Sequence, residues 1–270
     1  MRSIHVRACP RRQGRGRGQT GVVRTLAIDC GGTDLKASVL DLSGALLAEV
    51  VRVPTPYPLP PARFLEELAT LSAALPAADR ATVGMPGMIR HGVVVQTPHY
   101  VTESGPRSAV VAEFVRQWEG FAIAAAVSRR LGIPALVLND AEVHGAGVVS
   151  GRGVELVLTL GTGLGCALFD AGRLAPHLEL SQAPVGSGLI YDTYVGDEEL
   201  HRLGPAVWSR RVHRMFVGLR PVFVWDRLYV GGGNARSLTP AILANLGPDI
   251  EIVPNTAGIV GGVRAWEFSA

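Results

Sequence analysis

A glycine-rich turn between two apolar strands occurs twice in this sequence, in residues 25–42 and again in residues 154–169. In the first copy, the predicted strands Thr25–Ile28 and Ala37–Leu42 flank Asp29-Cys30-Gly31-Gly32-Thr33. In the second, Val154–Leu160 and Gly165–Phe169 flank Gly161-Thr162-Gly163-Leu164. A tight turn between two such strands predicts a hairpin. Two similar hairpins in separate parts of the chain indicate two similar lobes, with a ligand site in the cleft between them.

The rest of the chain alternates between short apolar strands and helices. A third strand is predicted at Ala45–Val53, followed by a connection at Pro54–Pro61, where five prolines in eight residues prevent pairing within a sheet. Further strands are predicted at Thr82–Gly84, Gly92–Gln96, Ala135–Leu138 and Leu228–Val230. Helices are predicted at Arg63–Leu75, Phe121–Leu131, Ala141–Val149 and Glu198–Leu219. This alternation is typical of an α/β fold.

Basic residues are concentrated at the N-terminus. Residues 1–24 contain seven arginines and no acidic residue, whereas the whole chain has 26 basic residues, 23 acidic residues and a net charge of +3. The remaining body therefore has a net formal charge of about −4, which is not typical of a nucleic-acid-binding domain. We expect residues 1–24 to be a disordered basic tail. The alternative is an arm that binds polyanions through charge.

The sequence favours a cytoplasmic protein without a membrane partner. The basic tail lacks the apolar stretch of a secretory signal, and no apolar run approaches the length of about 18 residues that spans a bilayer. The three cysteines, Cys9, Cys30 and Cys166, have neither the number nor the spacing of a disulfide framework or a zinc site.

The two glycine-rich turns are candidate phosphate sites. Consecutive glycines allow backbone N–H groups to converge on an anion, because no Cβ stands in the way. Asp29 adds a carboxylate that could hold Mg²⁺ through water, and Thr33 adds a hydroxyl. The alternative for each segment is an ordinary hairpin turn.

Three other segments are candidate functional sites, because they carry polar or glycine residues at the ends of predicted strands or between predicted elements. Asn139-Asp140 follows an apolar strand and precedes a helix, so it is either a helix cap or an orienting amide beside a general base, and both roles can coexist. Gly231-Gly232-Gly233-Asn234 lies at a strand end, where a flat ligand such as a nucleoside base can approach closely. Glu179, within Pro176–Gln182, is either a sugar ligand or part of a solvated loop.

The order of these motifs resembles the ROK kinases of the hexokinase and actin superfamily. Within that family, the polyphosphate glucokinases are similar at Leu158–Gly163, Tyr229–Gly233 and Ala257–Gly261. The resemblance extends from about Thr25 to Trp266. It implies two ribonuclease H-like lobes with the active site in the interdomain cleft. Residues 25–140 would form the N-terminal lobe, completed by a helix at 257–270, and residues 141–256 would form the C-terminal lobe.

The resemblance also implies a role for each motif. Asp140 would be the catalytic base, with Asn139, Asp140, Glu179 and Gln182 binding the sugar. Asp29, Gly31, Gly32 and Thr33 would form the first phosphate loop, with Asp29 holding Mg²⁺ through water. Gly161, Thr162 and Gly163 would form the second loop, and Gly231, Gly232 and Gly233 would border the nucleotide base. The protein would be a homodimer that uses ATP or polyphosphate and no zinc.

One departure from the family pattern concerns the sugar. ROK sugar kinases usually have Glu-x-Gly-His at the sugar site, whereas this chain has Glu179-Leu180-Ser181-Gln182. The preferred function is phosphoryl transfer from ATP or polyphosphate to a primary hydroxyl of glucose or a related sugar. The alternatives are a kinase for an aminosugar or cyclitol, and a sensing protein without turnover. The only lysine, Lys36, is given no catalytic role.

Overall fold

A computed structural model describes residues 23–254 and 257–268, so the predicted tail at residues 1–24 lies almost entirely outside the described residues. The strands are β1 Thr25–Cys30, β2 Asp34–Leu40, β3 Val51–Pro54, β4 Arg80–Met85, β5 Met88–Arg90, β6 Val93–Gln96, β7 Ala135–Asn139, β8 Val154–Leu160, β9 Leu164–Asp170, β10 Arg173–Leu174, β11 Pro184–Gly186, β12 Leu189–Ile190, β13 Arg227–Gly231 and β14 Ile250–Ile252. The helices are α1 Pro61–Ala73, α2 Ala112–Trp118, α3 Ile123–Leu131, α4 Asp140–Ala146, α5 Tyr191–Val195, α6 Asp197–Phe223, α7 Pro240–Leu243 and α8 Ala257–Phe268.

Two five-stranded sheets have the same topology. The first has the order β3-β2-β1-β4-β7 and the second the order β10-β9-β8-β13-β14. In each sheet an antiparallel hairpin, β1–β2 or β8–β9, is followed by two strands that pair in parallel. The carboxyl ends of parallel strands lie at one edge of a sheet, which is where α/β folds bind ligands. The predicted α/β fold with two similar lobes and a cleft is confirmed.

Each sheet has its own apolar core. In the first lobe, Phe64, Tyr100 and Trp118 pack together with ring centroids 5.5–5.7 Å apart. In the second lobe, Trp208 and Phe216 of α6 pack against the buried apolar residues of β8 and β13. Helix α6 is kinked at Gly204, whose φ is 72°, immediately before Pro205. No helix among the described residues has both the length and the apolarity that a bilayer crossing needs.

Helices α4 and α8 pack closely at the centre of the molecule. A Cβ at Gly261 of α8 would overlap the carbonyl oxygen of Val143 in α4, so only glycine permits this approach. Helix α8 also contacts β1 and β4, and Thr82 Oγ1 donates a hydrogen bond of 2.6 Å to the carbonyl of Gly262. Because α4 contacts strands of both sheets, the predicted lobe boundary after residue 140 stays a prediction.

The structure corrects several predicted element bounds. The third strand, predicted at Ala45–Val53, covers only Val51–Pro54. Leu46, Leu47 and Val50 are exposed. Before β3, this segment is connected to β2 by an isolated bridge between Leu40 and Leu46 and by a hydrogen bond of 2.7 Å from the N–H of Leu47 to the carbonyl of Val39. Helix α2 was not predicted, because its seven residues are too few to show a clear periodicity.

Candidate active site

Both glycine-rich loops line one central cavity of about 280 Å³ between the two sheets. Its wall includes the following predicted site residues: Asp29, Gly31, Gly32, Thr33, Asp140, Gly161, Thr162, Gly163, Gly232 and Gly233. Segments as far apart in the sequence as Asp29 and Gly233 therefore meet here, as the carboxyl ends of the paired strands require. The structure brings together all three glycine clusters and the Asp140 carboxylate.

The first loop is held by the proline-rich segment that follows β3. Thr55 Oγ1 donates a hydrogen bond of 2.9 Å to the carbonyl of Gly31, and Tyr57 OH donates one of 2.8 Å to that of Gly32. The Thr55 N–H donates to the carbonyl of Thr33 at 2.9 Å. The N–H of Gly31 donates a hydrogen bond of 2.8 Å to the carbonyl of Asp34, so the amides of Gly32 and Thr33 are the candidate groups of this loop for an anion in the cavity.

The second loop is tied to the third glycine cluster. Asn234 Nδ2 donates a hydrogen bond of 2.9 Å to the carbonyl of Gly161. Gly232 has a φ of 87°, and a Cβ there would overlap the backbone of Leu160, so glycine is required on both counts. Gly231 itself is buried behind the cavity wall. Asp192, which the sequence did not single out, accepts a hydrogen bond of 3.0 Å from the N–H of Leu164.

Asp29 and Lys36 face each other across the β1–β2 hairpin at the cavity. They are register partners, and Lys36 Nζ lies 3.2 Å from Asp29 Oδ2. Lys36, for which the sequence predicted no catalytic role, also lies in the cavity wall. Its position directly opposite Asp29 in the predicted hairpin is the signal that could have found it.

Asp140 is the first residue of α4, and its surroundings raise the pKa of its carboxyl group. Burial in the cleft, and next the negative charge of Asp29, raise the pKa of Asp140 to about 7. Asn139 is the N-cap: its Oδ1 accepts a hydrogen bond of 2.8 Å from the N–H of Ala141, and its Nδ2 donates one of 2.9 Å to the carbonyl of Gly87. The predicted helix cap is therefore present, beside a carboxylate whose pKa suits a general base near neutral pH.

A buried ionic chain connects this cap to the segment around Glu179. Glu142 Oε2 accepts a hydrogen bond from the N–H of Asn139 at 2.9 Å, and its Oε1 lies 3.2 Å from His177 Nδ1. His177 Nε2 lies 3.4 Å from Glu179 Oε2. Burial alone opposes the charged ring, but the hydrogen bonds to Glu142 and Glu179 outweigh it and raise the pKa of His177 to about 9. At neutral pH, His177 is therefore an imidazolium between two carboxylates.

Glu179 and Gln182 have different surroundings. Glu179 is half-buried, and its Oε1 accepts a hydrogen bond of 2.5 Å from Ser181 Oγ. Its negative charge contributes to the raised pKa of Asp140, which places the two carboxylates in one electrostatic environment. Gln182 is exposed and lines a separate depression with Val95, Trp118 and neighbouring residues. Asn139, Glu179 and Gln182 do not lie in the wall of the central cavity, and their roles as sugar ligands stay predictions.

Sequence reasoning did not assign a role to several residues of this region. His99, His144 and Thr159 line the cavity, and Glu142 and His177 form the ionic chain behind it. His144 follows Asp140 by four positions, so helical spacing alone places both on one face of α4. The contact between Glu142 and His177 spans 35 positions, and no local pattern indicates it.

Two lobes of this topology, with glycine-rich loops meeting at the cleft, define the fold class of hexokinases and actin-like ATPases. Residues 25–175 match the ROK family, and the chain belongs to that family. Polyphosphate glucokinase from Mycobacterium leprae (strain TN) is 28% identical over 262 residues, covering 92% of this chain and 76% of that relative. The predicted family is confirmed.

Solved structures agree with this assignment. The inorganic polyphosphate/ATP-glucomannokinase from Arthrobacter sp. strain KM has a TM-score of 0.73 and 32% identity, covering 91% of this chain and 98% of that chain. A ROK family glucokinase from Streptomyces griseus, in complex with glucose and AMPPNP, has a TM-score of 0.71 and covers 91% of this chain and 99% of that chain. At 18% identity, this second likeness shows the fold alone.

The pKa of Asp140 predicts the pH dependence of catalysis by a general base. A base must be deprotonated to accept a proton, so kcat/KM should rise with pH through about 7 and level off above it. Because the charge of Asp29 raises this pKa, Asp29→Asn should move the midpoint of the profile to lower pH. Both profiles of kcat/KM for the sugar are measured from pH 5.5 to 9 with saturating donor and sugar concentrations below KM. A midpoint that Asp29→Asn leaves in place would contradict the assignment of the profile to Asp140.

Proposed function

We propose that this chain is a sugar kinase that transfers the terminal phosphoryl group of ATP or inorganic polyphosphate to a primary hydroxyl of glucose or a related sugar. The observation that carries the proposal is the position of Asp140: a carboxylate with a pKa of about 7 in the wall of a cavity that two glycine-rich loops also line. Membership of the ROK family and the similarity to polyphosphate glucokinase support the same reaction.

In the proposed reaction, the acceptor hydroxyl oxygen forms a bond to the terminal phosphorus of the donor. Asp140 accepts the proton of that hydroxyl, and the bond from phosphorus to the leaving oxygen of ADP or of the shortened polyphosphate breaks. The loops around Gly31–Thr33 and Gly161–Gly163 position the phosphates through backbone amides. Asn139 and Glu179 are proposed to bind the sugar, and the same role for Gln182, which the resemblance implies, is tested with the Gln182→Ala variant.

The cavity residues fit a magnesium ion that is held mainly by the donor. Mg²⁺ usually keeps several waters and binds one or two carboxylates together with substrate phosphates. The described residues contain no group of three or more His, Cys, Asp or Glu side chains placed to hold a metal, but the partly exposed Asp29 carboxylate lies in the cavity wall. Asp29 would hold the ion through water. When bound, Mg²⁺ neutralises charge on the donor oxygens.

There are two alternative functions: a kinase that acts on another acceptor, and a sensing protein that does not turn over its ligands. The sequence Glu179-Leu180-Ser181-Gln182 and the exposed position of Gln182 favour testing an aminosugar or cyclitol acceptor beside glucose. A sensing protein would bind sugar or nucleotide without turnover, and the carboxylate of Asp140 in the cavity favours the enzyme. The homodimer and the cytoplasmic location stay predictions, and sedimentation of the purified protein tests the first.

The test is a matrix of two donors and several acceptors. ATP and polyphosphate, each with Mg²⁺, are combined with glucose, mannose, glucosamine and inositol, and the phosphorylated product is measured by mass spectrometry. We expect a sugar phosphate with at least one donor, and formation of this product at least about 100-fold more slowly by the Asp140→Asn variant under the same conditions. Binding of sugar and donor without product in any combination would favour the sensing protein.

A further inference from the structure

The imidazole ring of His99 lies in the wall of the central cavity and has no partner within the protein. The residue is half-buried and lines the cavity together with both glycine-rich loops. In the part of the chain that the structure describes, no hydrogen bond or ion pair involves this ring, and the buried side-chain atoms without a partner are His144 Nε2 and Asp197 Oδ1. Both ring nitrogens of His99 are therefore unpaired and accessible, so a ligand in the cavity can reach them.

The backbone around His99 is fixed before any ligand binds. Thr97 Oγ1 donates a hydrogen bond of 2.8 Å to the carbonyl of Pro86, and Tyr100 is fully buried in the core of the first lobe. The carbonyl of His99 accepts a hydrogen bond of 2.6 Å from Thr102 Oγ1. Because the segment is anchored on both sides of the ring, binding of a ligand to His99 needs little ordering of the chain.

The ring also packs against the first glycine-rich loop. A Cβ at Gly32 would lie 3.2 Å from His99 Cδ2 and 3.4 Å from His99 Cγ, so the ring uses the space that this glycine leaves. The ring atoms closest to the loop are carbons, and the contact does not pair either nitrogen. The hydrogen-bonding capacity of the ring is therefore left for a ligand.

The surroundings of the ring favour a neutral polyol over an anion. Burial lowers the pKa of His99, and the negative charges of Asp192 and Glu179 oppose this only in part, so the ring is neutral at pH 7. The same two carboxylates would repel a phosphate group at the ring. Carboxylates only accept hydrogen bonds, whereas a neutral imidazole has one donor and one acceptor, and sugar hydroxyl groups can pair with both.

We propose that His99 is a sugar-binding residue, whose ring exchanges hydrogen bonds with hydroxyl groups of the acceptor in the central cavity. This inference rests on the proposed function and deepens it, because it adds a side chain of the first lobe to the acceptor site. The segment Glu179–Gln182 contains no histidine, and Gln182 lines a separate depression. His99 places an imidazole in the cavity wall instead. Proton transfer from the sugar is left to Asp140.

The test removes both ring nitrogens and then restores one N–H group at a time. His99→Leu removes both and keeps much of the volume, whereas His99→Asn and His99→Gln retain an amide N–H near the positions of Nδ1 and Nε2. Binding of glucose, mannose, glucosamine and inositol, and of ATP with Mg²⁺, is measured by calorimetry. KM for sugar and donor and the melting temperature without ligand are measured as well. His213→Leu is the control, because His213 lies on α6 in a depression outside the cavity.

His99→Leu should weaken binding of the sugar acceptor and raise its KM by about tenfold, because hydroxyl groups lose their partner on the ring. The affinity for ATP and the KM for the donor should stay within about twofold of wild type. At least one of His99→Asn and His99→Gln should recover most of the sugar affinity. The melting temperature of the leucine variant should not fall, because the ring nitrogens have no partner within the protein. The His213→Leu variant should match wild type throughout.

Unchanged affinity of His99→Leu for the sugar that wild type binds best would overturn the proposal. Weaker binding of ATP with unchanged sugar binding would contradict it as well, because the ring would then contact the donor. A lower melting temperature with equal losses for sugar and donor would indicate a structural role and would also exclude it.

Calorimetry needs no turnover, so the outcome at His99 is separate from that of the proposed function. If wild type binds a sugar, loses this affinity in His99→Leu and forms no sugar phosphate, only the proposed function fails. If wild type forms a sugar phosphate and His99→Leu keeps its sugar affinity, only the role of His99 fails. Wild type that binds none of the acceptors would overturn both.

Discussion

Replacement of Asp140 by asparagine is expected to lower kcat by at least about 100-fold, the smaller end of the range for a general base. The amide has the shape of the carboxylate and cannot accept the proton of the sugar hydroxyl. Asn139, which caps α4 through the N–H of Ala141, is unchanged in this variant, so the helix end should stay folded. Sugar binding, measured by calorimetry, should therefore remain within about tenfold of wild type.

The matched control for this prediction is Asp170→Asn, at the exposed end of β9. It has the same chemical change outside the cavity and should keep wild-type kinetics. Retention of more than about a tenth of the wild-type rate in Asp140→Asn would contradict the assignment of the base. Loss of sugar binding together with the rate would instead indicate that the helix end has rearranged.

Glu179→Ala is expected to raise KM for the sugar by about one to two orders of magnitude, with little change in KM for the donor. A buried hydroxyl-binding group that is left unpaired costs about 1–3 kcal/mol. Glu179 is half-buried and held by Ser181 and His177, so its carboxylate is fixed before any ligand binds. The measurement is KM for sugar and donor at fixed saturating concentrations of the other substrate.

Gln182→Ala separates the two sugar ligands that the resemblance implies. Gln182 is exposed and lines a different depression, so its substitution should change KM for the sugar by less than about twofold. An equally large effect at both positions would assign the sugar site to the whole segment 179–182. Equal increases in KM for donor and sugar in Glu179→Ala would mean that the segment has collapsed, since the buried His177 imidazolium then loses one of its two carboxylates.

Local patterns predicted those parts of this molecule that depend on local chemistry. Apolar strands that flank glycine-rich turns predict both hairpins. The apolar strand that ends before Asn139 predicts the start of α4 and its N-cap. The carboxyl ends of parallel strands then bring the glycine clusters to one edge of each sheet. The position of Asp140 in the cavity follows from these local features and from a topology that the two similar halves of the sequence indicate.

Contacts between distant segments were not predictable in the same way. The bonds from the segment at 55–57 to the first loop span more than 20 positions, and the prolines there indicated only a connection. The partner of His177 is Glu142, a residue that also closes the capping box of α4. Gln182 follows Glu179 by three positions, yet the turn at Leu180–Gln182 directs it away from the cavity. These contacts depend on the tertiary structure, which brings together segments that are far apart in the sequence.

The attachment of the first loop to the segment at 55–57 has a thermodynamic consequence. Fixing the backbone of one residue costs about 1–2 kcal/mol of conformational entropy. In this protein the carbonyls of Gly31, Gly32 and Thr33 are already paired within the fold, so this conformational entropy is lost when the chain folds and not when a ligand binds. A phosphate chain that enters the cavity binds a loop that is already preorganised. The free energy of its contacts therefore increases affinity and is not offset by ordering of the loop.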